Sequence, residues 1–164
     1  MVLTASTMLP LQTPLPEFEL AIVPRFNLSQ NFVNPQEERL DSSQVSHKPL
    51  LIMMLCAHCP FVKHIEQQIS ELEHDYGDSI LFLGIASNSL ITHPQDGPSG
   101  LASQAQKLGW HFPYLLDPDQ NLAKALKAAC TPDFFLFSPS DTGQQLLRYR
   151  GQLDSSRPGN SIKV

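Results

Sequence analysis

Two cysteines separated by two residues, in Cys56-Ala57-His58-Cys59, are the side chains of this 164-residue chain best placed for chemistry. That spacing lets one sulfur reach the other, so the pair can cycle between dithiol and disulfide. It could also supply half of a metal site, but a structural zinc takes four ligands and a single CxxC offers two. The redox reading is therefore preferred. His58 lies between the sulfurs, where a protonated imidazole would stabilise a thiolate by charge and hydrogen bonding. A stabilised thiolate favours the reduced form and makes the disulfide more oxidising; the plainer alternative is a solvated histidine of small effect. Cys130, the third cysteine, reads in three ways: a third redox thiol, a metal ligand with Cys56 and Cys59, or a small buried structural residue. The structural reading is preferred. His47, His93 and His111 have no spacing that makes them ligands.

The elements on either side explain why a thiol here would react. Leu50 to Leu55 is an unbroken apolar run, the pattern of a strand buried on both faces. Residues 60 to 76 then read as a helix, with Val62, Ile65, Ile69, Leu72 and Tyr76 on one stripe, Pro60 in the first turn and Gly77 at the stop. A helix N-terminus carries unpaired N–H groups and partial positive charge, and a thiolate placed there has a lowered pKa. Cys59 lies three residues before Val62, on the stripe, and is expected to be the more buried. Cys56 precedes the helix and is expected to be exposed, so Cys56 is assigned as nucleophile and Cys59 as resolving thiol. Lys63 and His64 belong to the solvated face of the helix, where they could add positive potential.

Further elements follow in order. Ile80 to Ala86 is a second buried strand, 88 to 99 a polar loop, Leu101 to Leu108 a short helix closed by Gly109, and Phe112 to Leu116 an extended segment. Asn121 to Ala129 is another helix, Asp133 to Phe137 a third apolar strand, and Gln145 to Arg150 a fourth after the turn at Pro139 to Gly143. Parallel strands with a crossover helix, then a terminal hairpin, give an α/β fold with a mixed sheet flanked by helices. Nothing after Gly151 has a helical pattern, so a C-terminal helix is expected to be absent. Residues 1 to 49 hold Pro10, Pro14, Pro16, Pro24, Pro35 and Pro49 and are read as an arm packing on the domain 50 to 164. Phe18-Glu19-Leu20 and Leu28 are candidate edge strands within it.

Composition narrows the function classes. The length suits one domain, and 41% hydrophobic residues supply a core. The formal net charge is -5 and the 11 basic residues are scattered, which argues against a nucleic-acid partner. Met1 to Leu20 lacks a basic n-region and is broken by prolines, unlike a secretory signal or a membrane span. Three cysteines do not make a secreted disulfide scaffold. A soluble, cytoplasmic protein without membrane association is expected.

Several segments together resemble the thioredoxin-like, peroxiredoxin-related (redoxin, AhpC/TSA-like) proteins of bacteria. They are Cys56-Ala57-His58-Cys59-Pro60-Phe61-Val62-Lys63-His64; Ala129-Cys130-Thr131-Pro132-Asp133-Phe134-Phe135-Leu136-Phe137; and Tyr149-Arg150-Gly151-Gln152-Leu153-Asp154 with Arg157-Pro158-Gly159. Pro14-Leu15-Pro16-Glu17-Phe18-Glu19-Leu20 resembles the opening of peroxiredoxin-like domains. The resemblance implies a thioredoxin-like fold in which Thr131 and Pro132 form a cis-proline loop that faces the CxxC and binds substrate backbone. It also implies an inserted helix and strand between the CxxC and that loop, and an Asp154–Arg157 pair or turn near the last strand.

This sequence departs from the family patterns in ways that bear on activity. Thioredoxins carry a buried Asp in the strand before the CxxC; residues 50 to 55 are all apolar, leaving Asp133 as a substitute modulator or simply a strand-start residue. Leu55 replaces the usual Trp. Peroxiredoxins resemble one another in Pro-x-x-x-Thr/Ser-x-x-Cys; counting back from Cys56 gives Pro49 but Met53, and from Cys59 gives Ile52 and Cys56. The hydroxyl is missing in both registers, and nothing in the sequence places Arg148 or Arg150 as its cationic partner. The expected activity is thus thiol–disulfide exchange on protein or small-molecule disulfides and thiols, with a redox donor or acceptor protein, no cofactor and no metal. A peroxiredoxin-like thiol peroxidase is the first alternative, and a metal-binding or interaction module using Cys56, Cys59 and Cys130 the second. Oligomeric state is open.

Overall fold

The computed structural model describes residues 7–24, 39–45 and 48–164. The apolar run forms β3 (Leu50–Met54) at the heart of a seven-stranded sheet. Its neighbours are β4 (Leu81–Ala86), parallel, and β6 (Asp133–Pro139), antiparallel. Outside these lie β5 (Tyr114–Leu116), parallel to β4, and β7 (Gln145–Gly151), antiparallel to β6. β1 (Glu19–Ile22) and β2 (Arg39–Asp41) complete the order β2-β1-β5-β4-β3-β6-β7. The sheet is mixed and flanked by helices. β3 shows no alternation because both faces are dry. Leu50, Ile52 and Met54 pack with Leu83, Ile85, Phe135 and Phe137 on one side. Met53 and Leu55 pack with Phe82, Phe134 and the helices α1 (Pro60–Tyr76) and α2 (Pro98–Leu108) on the other.

Val62, Ile65 and Ile69 of α1 are buried, but the stripe expected to reach Tyr76 ends earlier, with Tyr76 half exposed. The last turn is closed by its backbone instead: Tyr76 O accepts the N–H groups of Ser79 and Ile80. α2 starts at Pro98, three residues before the expected Leu101, because proline suits the first turn. Gly109 ends it in the left-handed conformation, φ +68°, donating to Ala105 O and Gln106 O. α3 (Asn121–Ala125) stops short of Ala129: Lys127 takes φ +54° and Ala128 N–H turns back to Ala123 O.

The described part of the N-terminal segment joins the sheet rather than lying on it. β1 is an interior strand between β5 and β2, and Gln12 and Leu15 donate to Leu147 O and Gln145 O of β7. Leu28 lies outside the described residues. No helix follows β7 among the described residues; Leu153 packs against the α1–α2 side of the core, and His64 Nε2 is 3.1 Å from Ser156 Oγ. The expected Asp154–Arg157 feature is a turn, with Ser156 N–H donating to Asp154 Oδ1, and Arg157 N–H donates to Asn160. No helix of the described residues is long and apolar enough to cross a membrane.

Candidate active site

Parallel neighbours β3 and β4 end at the same edge of the sheet, where α/β folds characteristically place ligands. There the chain turns through Cys56–Cys59 into α1, and Leu55 N–H still pairs with Ile85 O. All three cysteines are free thiols. Their burial is the reverse of the sequence expectation: Cys56 is fully buried and Cys59 only partly. Cys56 prolongs the strand into the core beside Val62 and Leu101, and the loop after β4 is bonded to the turn above it. Cys59 is instead the N-cap of α1, in extended conformation at its mouth.

That difference sets the charge. As a thiol, Cys59 Sγ donates to Thr131 O at 3.4 Å. A thiolate on Cys59 is favoured first by the neighbouring Cys56 thiol and then by the first-turn amides of Val62 and Phe61 and the Thr131 hydroxyl, although its sulfur makes no capping hydrogen bond to α1. Together they hold it down to about 5 against the opposing effect of burial. Cys56 is pushed up, first by the neighbouring Cys59 sulfur, then by burial; the charge of Asp96 adds to the rise. Cys56 Sγ, His58 Nδ1 and an Asp96 carboxylate oxygen all lie within 4.8 Å of one another. Two negative charges within that separation repel by at least about 3.5 kcal/mol at an effective dielectric constant of ~20, which disfavours the anion on Cys56.

The Thr131–Pro132 peptide bond is cis and its loop closes the opposite flank, with Thr131 Oγ1 at 3.3 Å from Cys56 Sγ. Cys130, expected to be a small buried structural residue, is instead exposed on the same loop; partial burial, then the charges of Asp133 and Cys59, push its thiol up. Asp133 opens β6 opposite Met54. Burial raises it to about 6 against the amides of Ala129 and Phe134 and the charge of Arg150. The carboxylate bonded into the CxxC turn is therefore Asp96 and not Asp133. Arg148 is engaged with Ser138 and Gln12.

Sequence reasoning missed this polar shell. Asp96 ends a 3-10 turn (Pro94–Asp96) in the loop after β4 and is 1% exposed. Gln104, buried on α2, donates to Cys56 O and Glu66 Oε1 and accepts from Tyr114 Oη. His93, unassigned by spacing, stacks on His58 at 4.2 Å between ring centroids. The available cue was topological: a polar loop after the second of two adjacent parallel strands faces the turn after the first. Among the described residues the compact donor group is Cys56, His58 and Asp96, not the Cys56, Cys59 and Cys130 of the metal-binding alternative. Its carboxylate is already committed to N–H donors, which a metal would have to displace.

Two grooves meet at the Thr131 loop. One, of about 140 Å³, is largely apolar and includes Phe61, Ile65, Pro132 and Leu153. The other, of about 350 Å³, has a mixed lining that includes His58, Cys59, Asn88, His93 and Lys124.

A mixed sheet flanked by helices, with its central strand turning through Cys56–Cys59 into a helix N-terminus and a cis-proline loop facing that turn, is a thioredoxin-like fold. The AhpC/TSA family model matches residues 12–145, and the chain belongs to that family. Its sequence is 37% identical to an uncharacterized conserved protein from Geobacillus kaustophilus, with TM-score 0.84 over 100% of this chain and 80% of that one. A hypothetical protein from Sinorhizobium meliloti is 30% identical, with TM-score 0.82 over 98% of this chain and 80% of its own. The thioredoxin domain of a thiol-disulfide oxidoreductase from Bacteroides vulgatus shares the fold at 11% identity, with TM-score 0.62 over 87% and 91% of the two chains. No curated protein matches the chain.

Proposed function

We propose that the protein is a thiol–disulfide oxidoreductase whose working groups are Cys56 and Cys59, with Cys59 the attacking thiolate. The observation that carries this reading is the position of Cys59: partly exposed at the N-cap of α1, while Cys56 is fully buried. Cys59 S⁻ attacks a substrate disulfide, forming a mixed disulfide and releasing one thiolate. Cys56 then loses its proton and attacks Cys59 Sγ, which releases the second substrate thiolate and leaves the Cys56–Cys59 disulfide. Two electrons pass from the dithiol to the substrate, and an external dithiol returns them; run backwards, the cycle oxidises a dithiol. Thr131 and Pro132 are the proposed resting place for substrate backbone, with Cys130 at its edge. This reverses the order of attack expected from sequence, because a sulfur without exposure cannot meet a substrate disulfide before one that has it.

Peroxide reduction ranks second. The position three residues before Cys59 is a thiol where peroxiredoxins carry a hydroxyl, and Arg150 bears on Asp133.

The test is trapping. Incubated with a model disulfide, Cys56→Ser is expected to accumulate a mixed disulfide on Cys59, and Cys59→Ser to react at least ~100-fold more slowly. Iodoacetamide modification of Cys59 should fall away below a midpoint near pH 5. Mixed-disulfide formation by Cys59→Ser at the wild-type rate would refute the order of attack. Oxidation by hydrogen peroxide faster than disulfide exchange would put the peroxidase first.

A further inference from the structure

Asp96 stands 37 residues beyond Cys59 (96 − 59), yet it is the group most tightly bonded to the CxxC turn. Its Oδ1 accepts the amides of Ala57 at 2.9 Å and His58 at 3.2 Å. Its Oδ2 accepts His58 Nδ1–H at 2.6 Å and Asn88 Nδ2–H at 2.7 Å. A carboxylate this deep is tolerated only when hydrogen-bonded, and every partner here is an N–H donor. Three of the four belong to the turn, so the carboxylate fixes its backbone and its histidine together. The His58 ring is clamped, with Nδ1 on Asp96 and one face on His93. The electrostatic neighbours differ between the two sulfurs. Asp96 is near Cys56, with His58 and His93 above and Tyr114 and Glu66 on the helix side. Cys130, itself beside Asp133, is near Cys59.

We propose that Asp96 is the positioning residue of the dithiol centre, sharpening the preference for Cys59 that exposure sets, by tying the turn and placing a negative charge beside Cys56. It touches no substrate; it acts through the turn amides, through His58 and through its field. The proposal rests on the dithiol reading above but is tested separately from it. A tie alone would stabilise the turn and leave the choice of sulfur untouched; a charge within 4.8 Å of one sulfur cannot.

The experiment is site-resolved alkylation of the reduced full-length chain with iodoacetamide across pH 4 to 10, read by mass spectrometry at Cys56 and Cys59. Asp96→Asn keeps the size and an oxygen for the turn amides, removes the charge, and turns an amide NH2 toward two other donors. The preference for Cys59 over Cys56 is expected to fall at least tenfold, with the Cys59 profile moved to higher pH. His58→Ala leaves the charge in place and should change the preference less than threefold. A folded Asp96→Asn protein with the wild-type ratio and profile overturns the proposal. Should Asp96→Asn fail to fold, Asp96→Glu, which displaces the charge, is expected to move the ratio at least threefold, and an unchanged ratio overturns it equally. Because alkylation needs no disulfide substrate, the two readings separate. A wild-type chain that exchanges no disulfide yet shows the Asp96 effect refutes the oxidoreductase. Exchange with an unmoved ratio refutes the positioning role.

Discussion

The centre of the sheet and the shell around the CxxC turn solve opposite problems a few ångströms apart. In the centre, β4, nearly all of β3 and the phenylalanines of β6 are buried, and stability comes from close packing of Leu, Ile, Met and Phe. In the shell, Asp96, Gln104, Glu66, Asn88 and the Tyr114 hydroxyl are buried or half-buried polar groups that owe their place to one another. The centre holds the turn up; the shell distributes charge over its two sulfurs. Tyr114 belongs to both, its ring in the core and its hydroxyl on Gln104. If the division is real, damage to the centre should lower stability and spare thiol chemistry, and damage to the shell should lower stability and alter thiol chemistry.

The largest effect is expected from Gly84→Ala in β4. A Cβ there would lie 2.8 Å from the Tyr114 ring and 3.0 Å from that of Phe112, both fully buried. Overpacking of this kind costs about 2–3 kcal/mol, a fall in Tm of roughly 5–10 °C for a domain of this size. The Cys59 alkylation rate should stay within threefold of wild type. A large change in rate with little loss of Tm would break the division between the regions.

Gln104→Leu is expected to cost somewhat less, about 2 kcal/mol, by removing the donor to Cys56 O and Glu66 and the acceptor for Tyr114 Oη. Unlike the glycine variant it should also disturb the chemistry, because the Cys56 carbonyl is released and Cys56 becomes easier to alkylate. Thermal melts run beside alkylation mapping check both halves. A stability loss with the sulfurs untouched would show that Gln104 belongs energetically to the centre.

The same division explains what could be read from the sequence. β3, α1, β4 and β6 are specified by residues contiguous in the chain: an apolar run, a stripe at intervals of three and four, a proline and a glycine at the helix ends. The CxxC and the Thr131–Pro132 loop were legible because local motifs carry them. Asp96 and Gln104 have no local signature, since a carboxylate in a polar loop and a glutamine on a helix look like solvent-facing residues until the sheet order brings them to the turn. The burial of the two sulfurs was misjudged for a related reason. The helix stripe correctly placed Val62 inside, but Cys59 precedes the first helical residue, and its exposure follows the N-cap conformation rather than the stripe. What covers Cys56 comes from a loop some forty positions away.

Asp133 gives the smallest effect and the cleanest sign, at the boundary where β6 leaves the centre for the cis-proline loop. Its folded-state value is raised from 3.8 to about 6, chiefly by burial. Below pH 3.8 the carboxyl is protonated in both folded and unfolded chains and costs nothing. Between 3.8 and about 6 the unfolded chain releases its proton first, so stability falls as pH rises, and above about 6 the full penalty remains. With the side chain partly exposed, that penalty is about 1–2 kcal/mol. Asp133→Asn should therefore stabilise the protein at pH 7 by about that amount and leave it unchanged at pH 3.5, as measured by denaturant unfolding at the two pH values. Equal shifts at both would mean that the effect comes from shape and not from charge. A loss at pH 7 would mean that Arg150 and the Ala129 and Phe134 amides outweigh the burial, making Asp133 part of the polar shell instead of the edge of the dry centre.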